Sequence, residues 1–175
     1  MNPRFDIILP TIGRDSLLAA TESVEQQTYK DWRLITVHDT ENRGDYGAWA
    51  RNTAIAIGDS EWIAYIDDDD VWLPHHLALL AIEIEANPLV NMVRTTGQAF
   101  MWKHKSPRTS KLVRKLGAVN STDILTVGMA HTREIFHKTQ GWQPCDNHDK
   151  LLWNEMLGVG GIPIISNVIT FQFER

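Results

Sequence analysis

The chain has 175 residues, 43% hydrophobic and 22% charged, a globular composition of single-domain length that can build its core without disulfide staples. A net charge of −5 argues against nucleic acid as the main partner. The one cysteine, Cys145, excludes an internal disulfide and fits a reducing cytoplasm.

FDIILP (5–10) is an apolar run closed by proline and predicts a buried strand. After the loop TIGR, a helix starts at Asp15 or Ser16 with Leu17, Ala20, Thr21 and Val24 on one face. WRLITVH (32–38) predicts a second strand, DTENRGDYG a loop rich in turn formers, and AWARNTAIAIG a second helix closed by Gly58. EWIAYID (61–67) predicts a third strand, and a third helix runs from Pro74 to the breaker Asn87-Pro88. This alternation predicts an α/β fold with a mainly parallel sheet and ligands at the carboxyl ends of its strands, where LPTIGR, VHDTEN and IDDDD all lie.

The second half predicts a strand over 90–102, a strand-like 121–132, a short helix from Arg133, a helix over DNHDKLLWNEMLGVGG and a last strand or hairpin. One domain, 1–175, is expected, with residues 1–88 as its ligand-binding half and 89–175 as its acceptor-side half. Lys103, Lys105, Arg108, Lys111, Arg114 and Lys115 form a basic stretch, and without them the chain carries about −11. That stretch is read either as a solvated loop or as a contact for a phosphate-bearing acceptor or an anionic membrane. The apolar runs are far short of a membrane span and the first residues lack a signal-peptide build, so a cytoplasmic protein is expected, with peripheral contact at the inner membrane face through 103–115 as its membrane option.

YIDDDDVWLP (65–74) places four aspartates in a row. In an extended chain Asp67 and Asp69 share a face, Asp68 points the other way and Asp70 caps the turn into the next helix. Two converging carboxylates make an oxygen site for a hard cation, Mg²⁺ or Mn²⁺, and an acidic helix-capping turn is the rival reading.

Six motifs in order (ILPTIGR, SVEQQTYKDW, VHD, NRGDYGAWARNTAI, YIDDDDVWLP, and GW followed by NHDKLLW) make the chain resemble the inverting family-two glycosyltransferases. The resemblance implies a GT-A fold, a Rossmann-like three-layer sandwich, and transfer of a sugar from a nucleoside-diphosphate sugar, UDP- or GDP-linked, to an acceptor hydroxyl. It implies that Pro10 and Thr11 line base and ribose, that Asp39 accepts from the base, and that Arg14 reaches the diphosphate or ribose. Arg51 would face the nucleotide, with a surface ion pair as its bland reading; Asp39's bland reading is a turn residue capping its own backbone. Asp67 would lie near the ribose or a metal-bound water, Asp68 would point away or touch the ribose, and Asp69 would hold the metal, with His131 a further ligand candidate. Asp149 would be the catalytic base, with Asp146 second to it but better suited to capping a helix. His148 stands where relatives carry Glu and would orient the acceptor or be a plain exposed histidine. His75 and His76 are expected in solvent; Trp102, Trp142 and Trp153 are expected in core packing or sugar stacking.

Only Thr40 and Glu41 separate VHD from NRG, a shorter loop than the family pattern. The chain stops soon after its last strand, implying an acceptor site that is open or completed by a second subunit in a homo-oligomer. The acceptor is expected to be a carbohydrate, a lipid-linked sugar or a protein. A nucleotidyltransferase and a non-catalytic carbohydrate- or nucleotide-binding relative are the rival functions; an Asp-rich prenyl synthase would be all-helical, against this alternation.

Overall fold

A computed structural model describes residues 2–102, 112–118 and 124–174. β1 (Phe5–Thr11), α1 (Leu17–Glu25), β2 (Trp32–His38), α2 (Ala48–Ile57), β3 (Trp62–Tyr65), β4 (Asp70–Trp72) and α3 (His76–Ala86) form the first half. β5 (Met92–Trp102), β6 (Leu112–Ala118), β7 (Met129–Thr132), α4 (Arg133–Phe136), α5 (His148–Gly158) and β8 (Pro163–Glu174) follow, with a 3₁₀ turn at Thr126–Gly128. Lys103, Lys105, Arg108 and Lys111 lie outside the described residues, and with them most of the basic stretch and its membrane contact. Trp102 is described in its backbone alone. Among the described residues no helix is long and apolar enough to cross a membrane.

Both halves share one sheet of order β2-β1-β3-β7-β5-β8-β4, with β6 beside β5. β2, β1 and β3 run parallel in register, Phe5 opposite both Trp32 and Trp62, and β5 runs parallel to β8. β4, β6 and β7 join antiparallel.

Alternation along β1 divides the core. Phe5, Ile7 and Leu9 face α1 and α3, meeting Ala20, Val24, Leu77 and Leu80. Ile8 faces the other way, toward Ala50, Ala54 and Ile55 of α2 and Leu152, Trp153 and Met156 of α5. All seven β1 residues are buried, and full burial of each large apolar side chain contributes about 1.5–3 kcal/mol. The result is the three-layer sandwich expected. Trp142 and Trp153 belong to this core.

The amino end of β1 is clamped by charge. Asp6 is fully buried and accepts from Arg33 of β2 at 2.9 Å, Arg133 of α4 at 2.6 Å and both the amide and hydroxyl of Ser60. Burial alone would raise its pKa, but the Ser60 and Arg33 hydrogen bonds outweigh it and hold the carboxyl below its usual value.

Three expectations need correction. Asp70 does not cap a helix: it sits in β4, buried, opposite Phe173 of β8, because β8 supplies a partner that only long-range pairing provides. His76 is not solvated. It is fully buried, stacked on Trp72 at 4.2 Å, with Nδ1 2.8 Å from the Thr170 hydroxyl. Of the strand-like 121–132, residues 121–123 lie outside the described residues, 124–128 form no strand because Thr126–Gly128 is a 3₁₀ turn, and the strand starts at Met129.

Gly97 and Gly128 grip the Phe171 ring between them: a Cβ on Gly97 would lie 2.0 Å from Phe171 Cε2, and one on Gly128 2.5 Å from Cε1. Gly97→Ala is therefore expected to destabilise the protein by about 1–3 kcal/mol in urea unfolding; an unchanged midpoint would contradict this packing.

Burial lowers the pKa of His76 to about 3 and that of His131 to about 4. Below about 6.5 the unfolded chain takes up protons that the folded chain refuses, so stability is full above that value and falls as pH drops through it toward the folded values, by about 1.4 kcal/mol per pH unit per histidine. Urea unfolding is expected to be easier at pH 5.5 than at pH 7.5, and His76→Leu to flatten that slope; a pH-independent midpoint across that range would refute the burial.

Candidate functional site

The register of β2, β1 and β3 sets their carboxyl ends side by side. The Asp39 amide donates to the Thr11 carbonyl at 2.8 Å and the Ile66 amide to the Ile8 carbonyl at 3.1 Å, extending the ladder into the loops. A cleft of about 540 Å³ opens there, a volume suited to a small-molecule ligand. Pro10, Thr11, Arg14, Asp39 and Arg51 line it, with Asp67, Asp68 and Asp69 beside them. The cleft thus gathers eight of the nine residues named from sequence for the nucleotide sugar and its metal and leaves out the ninth, His131.

Asp67 to Asp70 form a turn closed by the Asp70 amide donating to the Asp67 carbonyl at 3.1 Å. The strand ends at Tyr65, so the alternation expected of an extended chain does not apply, and Asp68 is turned inward. It is buried, accepts from the Thr11 hydroxyl at 2.6 Å and from Arg14 at 3.0 Å. Arg14 also reaches Asp69 at 2.7 Å.

Arg51, on the first turn of α2, is 4% exposed. Its guanidinium pairs with Asp67, donates to the Tyr46 carbonyl and lies 4.8 Å from the Trp142 ring, while Nε is buried without a partner. A buried arginine facing a carboxylate at the cleft wall is not the surface pair of its bland reading. Asp39 does what its bland reading said as well as lining the cleft: it accepts from the Arg43 amide at 2.8 Å and from the Arg43 guanidinium.

The crowding has an electrostatic cost. Burial, then Asp67, raises the Asp69 pKa, with Arg14 opposing. Burial and then Asp67, Asp69 and Asp68 push Asp70 well up. The cluster has spare negative charge for a cationic partner, and its donors are all oxygen. Among the described residues no three His, Cys, Asp or Glu side chains come together as a metal-binding group.

His131 does not reach the cleft. It is fully buried on β7, its Nδ1 donating to the Thr132 carbonyl at 3.0 Å, its Nε2 2.7 Å from the Tyr65 hydroxyl and its ring stacked on Phe136. The strand-to-helix turn at Thr132 points it into the core rather than at the aspartates.

The loop from Asp39 to Gly47 supplies wall residues that sequence reasoning passed over. Asn42, Gly44, Asp45, Tyr46 and Gly47 line the cleft, and four of them have positive φ. Asp45, also unnamed from sequence, caps α2 by accepting from the amides of Gly47 and Trp49 at 3.0 and 2.7 Å. The concentration of Asn and Gly at a strand end was the available signal.

At the far wall, His148 opens α5 and lines the cleft. Asp149 follows it but is not among the lining residues; its Oδ1 accepts from the Lys150 amide at 2.8 Å. Asp146 pairs with the Tyr46 hydroxyl, raising that phenol's pKa, and the cap position expected of it belongs to Asn147, which is left-handed at φ 58°.

The family model for glycosyl transferase family 2 matches residues 37–140. WcaA of Escherichia coli (strain K12), named as a colanic acid biosynthesis glycosyl transferase, is 33% identical over a 102-residue alignment that covers 45% of this chain and 37% of the relative. WfgD of Escherichia coli, named as a UDP-Glc:alpha-D-GlcNAc-diphosphoundecaprenol beta-1,3-glucosyltransferase, is 27% identical over 95 residues, 42% of this chain and 38% of the relative. The chain spans less than two fifths of the length of the curated relatives it matches. In fold, it superposes on Staphylococcus aureus TarS 1-349 in complex with UDP with a TM-score of 0.75 at 13% identity, covering 98% of this chain and 60% of the other. It superposes likewise on the mannosyltransferase PcManGT from Pyrobaculum calidifontis in complex with GDP-Man and Mn²⁺, with a TM-score of 0.70 at 17% identity, covering 100% of this chain and 57% of the other. With motifs, match and three-layer GT-A architecture in agreement, the chain belongs to glycosyl transferase family 2.

Proposed function

We propose that the cleft binds a nucleoside-diphosphate sugar, UDP- or GDP-linked, and that the protein transfers the sugar with inversion to an acceptor hydroxyl, assisted by Mn²⁺ or Mg²⁺. The observation that carries this reading is the meeting, at three adjacent strand ends, of Asp67, Asp68 and Asp69 with Arg14 and Arg51 around one cleft of ligand size. The complexes of the fold neighbours support it: TarS with UDP-GlcNAc, and PcManGT with GDP-Man and Mn²⁺.

The donor set fits a hard cation. Asp69 and Asp67 would hold it through carboxylate oxygens, and the phosphates of the donor would complete its shell. When bound, the cation supplies a positive charge that stabilises the leaving diphosphate.

The chain's own residues do the rest. Pro10 and Thr11 form the floor on which base and ribose would lie, and Asp39 would face the base from the end of β2. Arg14, half-exposed and paired with Asp68 and Asp69, is long enough to turn toward the diphosphate once a cation replaces it at Asp69. Arg51, fixed by Tyr46 and Asp67, keeps a guanidinium on the nucleotide side. Asp68, held by Thr11 and Arg14, fixes the turn so that its neighbours face the donor. In an inverting displacement the acceptor hydroxyl attacks from the face opposite the leaving group and must lose its proton. The first turn of α5, where His148 lines the cleft and Asp149 follows it, is the part of the chain suited to receive it.

Calorimetry of UDP and GDP with and without Mn²⁺ tests the reading. At least one nucleotide is expected to bind, more tightly with Mn²⁺, and Asp69→Ala to abolish the metal-dependent part. If neither nucleotide binds under either condition, the proposal is wrong.

A further inference from the structure

The two guanidiniums of the cleft are held in opposite ways. Arg51 is 4% exposed and fixed by Asp67 and the Tyr46 carbonyl. Arg14 has a fixed backbone and a long arm in solvent. Its carbonyl accepts from the Leu17 amide at 3.1 Å, at the start of α1, and the Gly13 amide before it donates to the Thr11 hydroxyl at 2.9 Å. Its side chain is 49% exposed. One nitrogen, Nη1, touches both Asp68, at 3.0 Å, and Asp69, at 2.7 Å. Among the described residues these are the guanidinium's only hydrogen-bond partners.

Stability does not account for that position. The Asp69 side chain is 40% exposed, and an ion pair between two such side chains contributes little. Asp68 is held by the Thr11 hydroxyl at 2.6 Å whether or not Arg14 stays. A single positively charged nitrogen shared by two carboxylates marks instead the place where the cluster favours a cation, and Arg14 fills it from within the chain.

We propose that Arg14 is a built-in competitor of the metal ion, releasing Asp69 only when a diphosphate is there to take its guanidinium, so that cation and donor enter together. This deepens the reading of the cleft as a sugar-nucleotide site and rests on it. A divalent cation that binds Asp69 alone must displace the guanidinium into water or lie beside a like charge, and either weakens its binding. With a nucleoside diphosphate present, the displaced guanidinium gains phosphate oxygens, which its planar fork contacts two at a time. The loss at Asp69 is then offset at the phosphate. Each ligand therefore favours the other, and linkage makes that favour equal in both directions. Arg51 does not take this part, because its guanidinium is enclosed and its withdrawal would leave Asp67 without its arginine.

The test is binding, with no turnover needed. Mn²⁺ is titrated into the protein alone, followed by the electron paramagnetic resonance signal of the free ion. UDP and GDP are titrated by calorimetry with and without Mn²⁺, for wild type and Arg14→Gln. The variant is expected to bind Mn²⁺ alone about three- to tenfold more tightly than wild type. The factor by which Mn²⁺ tightens the nucleotide is expected to fall by about three- to tenfold. Mere loss of a nearby positive charge would tighten Mn²⁺ equally with and without nucleotide and leave that factor unchanged, so an unchanged factor overturns the proposal. Unchanged or weaker binding of Mn²⁺ alone overturns it too. In both cases nucleotide binding by the wild type leaves the cleft reading standing. If wild type and variant bind neither nucleotide under any condition, the cleft reading fails and the role of Arg14 with it.

Discussion

Four carboxylates in succession after β3 set the terms for everything around them. Unit charges 4 Å apart repel by about 4 kcal/mol at the effective dielectric of a protein surface. The fold answers each one separately. Arg51 is buried to meet Asp67, Thr11 and Arg14 are drawn onto Asp68, Arg14 doubles onto Asp69, and Asp70 is withdrawn into β4 with its pKa pushed well up. The protein side of the cleft is thus assembled by the same charges that make it attractive to a cation. The Asp67 carboxylate explains why a guanidinium lies almost wholly buried in a helix whose other buried residues are all apolar.

The parallel strands and the helices that cover them were legible because their apolar spacing is local. FDIILP, WRLITVH and EWIAYID carry their structure in a window of seven residues, and their alternation implies where their ends meet. That alternation places the loops together, and the resemblance to family two singles out Pro10, Thr11, Asp39, Arg51 and the aspartates within them. What escaped depends on residues distant in sequence. Asp70 enters a strand because β8, a hundred residues on, pairs with it. His76 looks solvent-facing beside His75 until Thr170 and Trp72 enclose it. His131 has a sequence setting compatible with a ligand, but Tyr65 and Phe136 take both its polar and its flat face. Asp149 and His148 are adjacent in sequence, and only the rotation of α5 decides which of them meets the cleft.

The Asp39–Gly47 loop shows a different limit. Its residues read as turn formers, which is correct and says nothing of function. Left-handed Asn42, Gly44, Tyr46 and Gly47 curl the chain back over the end of β2, so that backbone groups as well as side chains become wall. The Tyr46 carbonyl holding Arg51 is one such group, invisible to any reading of side-chain types.

Asp6 gives the molecule a second charged centre, at the opposite end of the same strand from the aspartate turn. There a single carboxylate ties β2, the loop before β3 and α4 to β1 through Arg33, Ser60 and Arg133. Because β1 spans both ends, its position is held from below by a clamp that touches no part of the cleft. Substitutions in the loops above can then accumulate without loosening the strands that carry them. Such a separation of anchor from rim leaves the shape of the cleft and the seating of the sheet as two independent problems for the sequence to solve.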